Sequence, residues 1–277
     1  MSNENRGIDL LREMHMRGKE IFTMKEIAPV AQMRDIQHPQ LKKILSNFIR
    51  RGWIIRLHRG LYASVGSLFP DLSYTHPFAI AVHLVKPAAI SHWSALNYHG
   101  LTEQIPNIVT AITTKKVVTP SMRLKNSQSQ QTKHSWEIAG IQYEYITVKP
   151  ENFNRGIENI WINERYLVPI TDKERTLLDV FIYSKMFGGI GEALNILQHS
   201  LSEIDVKKLV QYATEYGKKS TIKRLGWALE YFGISSKYLK PLLNEPASYY
   251  SLLDQAGEAK GPCDKHWMIQ NNLKGMP

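Results

Sequence analysis

The order of apolar patterns in the first 65 residues constrains the fold of this 277-residue chain most strongly. Apolar residues recur at helical spacing in residues 7–17, and a capping-box pattern at 23–26 opens a second predicted helix. A third helix is predicted over 38–51, with Pro39 in its first turn. Residues 53–64 then alternate around an Arg-Gly turn, which predicts a β-hairpin. Three helices followed by a hairpin is the element order of a winged helix-turn-helix.

The third helix has an apolar stripe, which identifies the face that it leaves to solvent. The stripe consists of five predicted core residues: Leu41, Ile44, Leu45, Phe48 and Ile49. In helix-turn-helix proteins a helix at this position enters the major groove of DNA. The β-hairpin that follows is the wing. The outward residues of the helix, of its C-terminal end and of the wing are types that form hydrogen bonds with phosphates and base edges. These candidate DNA-binding residues are Gln40, Lys42, Lys43, Ser46, Asn47, Arg50, Arg51, Arg56, His58 and Arg59.

Positive charge is concentrated in the same segment. Residues 36–70 contain six Lys and Arg residues and no Asp or Glu, within a chain of net charge +10. Such a run is not typical of an ordinary mixed-sign surface, and it favours contact with duplex DNA. The alternative is a winged helix that binds protein only and leaves its basic face solvated. A second acid-free window, residues 104–136, holds five further basic residues.

The complete chain is predicted to be an α+β protein, in which the N-terminal winged helix precedes a larger mixed α/β domain that ends in several helices. We predict a linker at 66–75, the mixed domain at 76–235 and a C-terminal extension at 236–277. Within the mixed domain, helices are predicted on both sides of residues 86–87, and a polar loop is predicted at 117–135. One strand is expected at 108–114, two paired strands at 136–139 and 141–148, and a further strand pair at 159–170. From residue 171 the spacing becomes helical.

Composition narrows the class of protein. No apolar run reaches the ~18 residues of a membrane span, and the first ten residues lack a signal-peptide pattern. A single cysteine, Cys263, excludes internal disulfides and cysteine-based zinc sites, so a reducing compartment fits. We therefore expect a cytoplasmic protein with no membrane partner.

Three groups of residues suggest catalysis or metal binding, and each has a simpler interpretation. His76, His83, His92 and His99 have near-helical spacing, but no carboxylate or cysteine lies among them to complete a metal site. Asp172, Glu174 and Asp179 suit the dipole at a helix start, with Thr171 as the predicted N-cap. Glu144 and Lys149 lie on or near a strand, but the Asp and the Glu-x-Lys on adjacent strands that a nuclease site needs are absent. No catalytic residue, metal or cofactor is predicted.

Three segments resemble the AbiEi family, the antitoxin and autorepressor half of AbiE-type abortive-infection systems. They are FIRRGWIIRLHRGLYA at 48–63, AISHWSALNYHGL at 89–101 and VPITDKERTLLDVF at 168–181. The resemblance covers about residues 5–235; His58, the first helix and the loop at 117–135 depart from it.

The resemblance implies a bacterial phage-defence protein. Such a regulator represses its own promoter at inverted repeats and offsets a nucleotidyltransferase-type toxin. The DNA-binding role would fall to the positions between Gln40 and Arg59. The alternative function is a nuclease-like enzyme of nucleic-acid processing that a winged helix targets to DNA.

Overall fold

A computed structural model describes residues 3–65, 75–117 and 135–273. Apart from their end residues, the predicted linker at 66–75 and the predicted loop at 117–135 lie outside this part of the chain. Helices and strands both occur along the chain, with a run of helices after residue 173, which confirms the predicted α+β class. No helix in the described ranges has both the length and the apolarity to cross a bilayer.

Residues 3–65 form a winged helix-turn-helix, as predicted. In chain order, its elements are α1 (Asn3–Met16), β1 (Ile21–Thr23), α2 (Met24–Gln32), α3 (His38–Arg50), β2 (Ile54–His58) and β3 (Leu61–Ser64). The three strands form an antiparallel sheet in the order β1-β3-β2. The sequence did not predict β1, whose Phe22 lies opposite Tyr62 and stacks on its ring with centroids 5.9 Å apart.

Local signals explain where these helices begin. Thr23 accepts a hydrogen bond from the backbone N–H of Glu26, and the Glu26 carboxylate accepts one from the backbone of Thr23. This reciprocal capping box satisfies two backbone donors at the start of α2. The predicted stripe of α3 is buried except at Ile49, where the prediction is wrong because this side chain is 39% exposed.

The remaining elements continue the mixed architecture. The strands are β4 (Ala88–Ile90), β5 (Ile108–Thr113), β6 (Ser135–Ile138), β7 (Ile141–Thr147), β8 (Ile157–Trp161) and β9 (Leu167–Thr171), which form a sheet in the order β6-β7-β5-β4-β9-β8. The helices are α4 (Pro77–Leu84), α5 (His92–Tyr98), α6 (Pro150–Phe153), α7 (Lys173–Ile182), α8 (Ile190–Ser200), α9 (Val206–Tyr216), α10 (Lys219–Tyr231) and α11 (Ser236–Asn244). A 3₁₀ turn (Ser184–Phe187) precedes α8, and a small sheet contains β10 (Ser251–Leu252), β11 (Cys263–Asp264) and β12 (Ile269–Gln270).

The chain divides into two compact units. Unit 1 contains residues 1–88, 107–146 and 159–168, and unit 2 contains residues 89–106, 147–158 and 169–277. This division differs from the predicted boundaries at 65, 75 and 235. The reason is that strands from beyond residue 107 group with the winged helix, whereas the segment predicted as an extension groups with the preceding helices.

The C-terminal segment is part of the core of unit 2. Leu239, Leu253, Trp267 and Ile269 are buried in the same apolar cluster as the helices α7 to α10. A segment of low apolar density in the sequence therefore contributes some of the best-buried side chains of the unit.

Candidate nucleic-acid interface

Helix α3 presents its polar face to solvent over its whole length. All ten residues that the sequence predicts as DNA-binding are exposed. The buried stripe of α3 packs on α1 and α2, so the packing itself fixes which side chains point outward. Exposure of this kind is what a helix needs to enter a major groove.

Two side chains on this face are held by local hydrogen bonds. Arg50 donates from Nη2 to Oδ1 of Asn47 at 3.0 Å, which orients the amide of Asn47. Oε1 of Gln40 accepts from the backbone N–H of Gln37 at 3.1 Å, so Gln40 also caps the helix. Both exposed amides of α3 thus use their side-chain oxygen within the winged helix.

Arg51 differs from the other basic residues. It follows the last residue of α3, and its guanidinium lies 5.0 Å from the ring centroid of Trp53. A stacked guanidinium of this type contributes to packing at the base of the wing as well as to surface charge.

The wing is a tight turn between β2 and β3. A register shift between Arg56 and His58 forms a bulge, and Gly60 has a φ of +82°, which a residue with a side chain adopts only with strain. Nε of Arg56 donates to the carbonyl of His58 at 3.4 Å, and Nδ1 of His58 lies 3.2 Å from the carbonyl of Arg59. These bonds hold the basic side chains beside the turn.

No carboxylate neutralises the basic face within the described residues. Lys42, Lys43, Arg50, Arg56 and Arg59 form no ion pair there, and residues 36–65 include no Asp or Glu. The local field of this face is therefore positive, as DNA phosphates require.

A buried carboxylate ties the winged helix to a later segment of unit 1. Glu20, whose side chain is 1% exposed, accepts from Nη1 of Arg165 at 2.6 Å and lies 3.4 Å from Nδ1 of His15. Burial and the charge of Arg165 lower the pKa of His15, although Glu20 opposes the shift. The sequence did not predict this cluster.

The start of α7 is capped differently from the prediction. Asp172 is the N-cap, and its Oδ1 accepts from the backbone N–H of Arg175 at 2.8 Å. The predicted cap, Thr171, is wrong because its hydroxyl lies 2.7 Å from that of Thr176 and serves the strand-to-helix junction.

The acidic residues of α7 are engaged in ion pairs and do not form an open metal site. Lys208 lies between the carboxylates of Asp172 and Glu174, at 3.0 and 2.9 Å. Arg175 donates from Nε to both oxygens of Asp179, and both side chains are 1% exposed. Burial raises the pKa of Asp179, and Arg175 limits that rise. Each of these three acids thus has a basic partner within the structure.

The four spaced histidines each bond to a neighbour. His83 and His99 contact the carbonyls of Ala79 and Thr171, at 2.8 and 2.7 Å. His76 caps α4, and His92 lies 2.8 Å from the hydroxyl of Ser91, where burial lowers the pKa of His92 to about 3. In the described ranges no group of three or more potential ligands is arranged for a metal ion.

Comparison with known proteins gives a family match for the winged-helix segment and a solved structure of similar fold. A search of curated proteins gives no match. The crystal structure of the RV2827C protein from Mycobacterium tuberculosis matches over 96% of this chain and 90% of that chain, at 11% identity and a TM-score of 0.64. At this identity the match shows a shared fold alone. Residues 9–65 match a family described as transcriptional regulator, AbiEi antitoxin. The segment that forms the winged helix therefore matches the AbiEi antitoxin family of transcriptional regulators, as the resemblance of the sequence predicted.

Proposed function

We propose that this protein binds duplex DNA through α3 and the wing and thereby represses its own promoter. The observation that carries the proposal is the exposed, acid-free face of α3, continuous in sequence with a basic wing. A regulator of this kind needs no catalytic residue. We assign contacts with DNA bases to α3 and contacts with the DNA phosphate backbone to the wing.

Binding to DNA is expected to weaken steeply with salt. If the basic face neutralises about five phosphates, the slope of log K against log salt should be roughly −4 to −5. Fluorescence anisotropy with a labelled duplex from the upstream region, at 50–300 mM salt, measures it. A slope near zero, or no binding to any duplex, contradicts the proposal.

Replacement of Asn47 is expected to reduce specificity more than general affinity. Asn47→Ala removes an amide that can pair with an adenine edge, and we expect a loss of about 1–3 kcal/mol on the operator and less on random DNA. Arg56→Ala and Arg59→Ala are expected to weaken both DNAs alike. Asn195→Ala, at an exposed position of α8, is the matched control. Equal losses on both DNAs for Asn47→Ala would assign base readout to another element.

The proposal includes an antitoxin role, supported by the family match of residues 9–65 and by the three resembling segments. The partner would be a nucleotidyltransferase-type toxin encoded beside this chain. Co-expression with that neighbour tests the role, because the antitoxin should restore growth. Footprinting on the upstream DNA tests for inverted repeats. A footprint on the upstream DNA without restored growth would support the repressor role and contradict the antitoxin role.

A further inference from the structure

A basic cleft in unit 1 opens beside the wing. Its volume is about 450 Å³, and its lining includes His58 of the wing together with Lys86, Lys115, Lys116 and Trp136. These residues come from four separate parts of the sequence: the wing, the turn after α4, the end of β5 and the start of β6. Chain folding thus gathers side chains that are up to 78 positions apart in the sequence.

The cleft has the chemistry of an anion site. Its lining contains three lysines and no Asp or Glu. Lys86, Lys115 and Lys116 are exposed, and the described residues include no carboxylate paired with Lys86 or Lys116. Lysine ammonium groups bind phosphate as point charges, without the fixed geometry that arginine imposes.

The wall of the cleft is held by packing. The ring of Trp136 meets that of Tyr145 edge to face, with centroids 5.6 Å apart. Tyr145 in turn donates its hydroxyl to the carbonyl of Ala81 in α4 at 2.6 Å. Strands β6 and β7 and helix α4 therefore form one fixed wall behind the lysines.

We propose that this wing cleft binds the phosphate backbone of the duplex beyond the segment that α3 contacts. The inference rests on the proposed function, and it extends the DNA-binding surface outside the winged helix. His58 belongs to both the wing and the cleft, so the two basic surfaces are continuous. The occupant is duplex DNA, because the cleft offers three lysines to phosphates and shares His58 with the wing that we propose contacts DNA.

The test compares two charge-matched triple variants on two duplexes. One variant is K86Q/K115Q/K116Q, and the control, K219Q/K240Q/K265Q, removes three exposed lysines of unit 2. The long duplex carries the footprinted site with flanks, and the short one is trimmed to the segment under α3. Circular dichroism and thermal melting establish that both variants are folded.

The cleft variant is expected to lose affinity on the long duplex only. If contacts with two or three phosphates are lost, the slope of log K against log salt becomes less negative by about 2–3. The affinity at 0.1 M salt then falls about 60- to 500-fold. On the short duplex it should equal the wild type, and the control variant should retain most of its affinity on both.

Three results would overturn the inference while leaving the proposed function standing. The first is a wild-type slope for the cleft variant on the long duplex. The second is an equal loss for the cleft and control variants, which would reflect overall charge only. The third is an equal loss on both duplexes, which would place the lysines within the α3 site. If the wild type binds no duplex at all, the proposed function itself fails.

Discussion

Replacing Arg175 with Met is expected to lower the free energy of unfolding by about 3–5 kcal/mol, because the change leaves a buried carboxylate without its partner. Arg175 also donates from Nη1 to the carbonyls of Asn152 and Arg155, at 2.7 and 2.8 Å. The variant therefore strands the carboxylate of Asp179 and two backbone acceptors at once. Urea unfolding followed by circular dichroism measures the loss.

A second variant separates the ion pair from a packing defect. Arg175→Met combined with Asp179→Leu removes both charges, and replacement of a buried pair by apolar groups costs much less than removal of one partner. The double variant should therefore recover part of the lost stability. Lys173→Met, in the same turn of α7, is the control, since Lys173 pairs with an exposed Glu203. A single variant as stable as the wild type would contradict the structural role of Arg175.

Replacing Trp267 with Ala is expected to cost about 3–5 kcal/mol, the usual range for a buried tryptophan. Trp267 is 1% exposed and packs directly on Gly226 of α10, where a Cβ atom would lie 2.0 Å from the ring. Its Nε1 donates to Glu230 at 2.6 Å. The change leaves a cavity and an acceptor without its donor, and thermal unfolding of the full chain measures the effect.

The matched control is another aromatic residue of the same segment. Tyr249 is 71% exposed, so Tyr249→Ala should alter the free energy of unfolding by less than about 0.5 kcal/mol. Gly226→Val approaches the contact from the other side, and it should also destabilise because the ring has no room to shift. If Trp267→Ala behaves like Tyr249→Ala, the C-terminal segment is not part of the core.

The sequence predicted the winged helix because each of its helices carries a local signal. Thr23 and Glu26 mark the start of α2, and Pro39 with the apolar stripe marks α3. Strand β1 lacked such a signal, because Ile21 and Phe22 are both buried and do not alternate. Its pairing with β3 depends on residues 38 to 42 positions later, which no local pattern reveals.

The candidate site also has one part that local sequence patterns predict and another part that they do not. The ten exposed residues follow from the periodicity of α3 and of the hairpin, which a sequence displays directly. The wing cleft does not, since Lys86 and Lys116 become neighbours only after β5 and β6 are placed. Likewise, Asp172 and Thr171 are both acceptable N-caps by residue type. The partner that engages Asp172, Lys208, lies 36 positions later in the sequence.

The pair between Glu20 and Arg165 has a consequence for synthesis of the protein. The two residues are 145 positions apart. At ribosomal rates of about 5–20 residues per second, Arg165 is made roughly 7–30 s after Glu20. Until Arg165 is made, the carboxylate of Glu20 lacks this partner. Of the described ion-pair partners of Glu20, His15 is the one that is already synthesised. The part of the chain that is translated first is thus completed late, because the pairing of its buried Glu20 depends on translation of the central third of the protein.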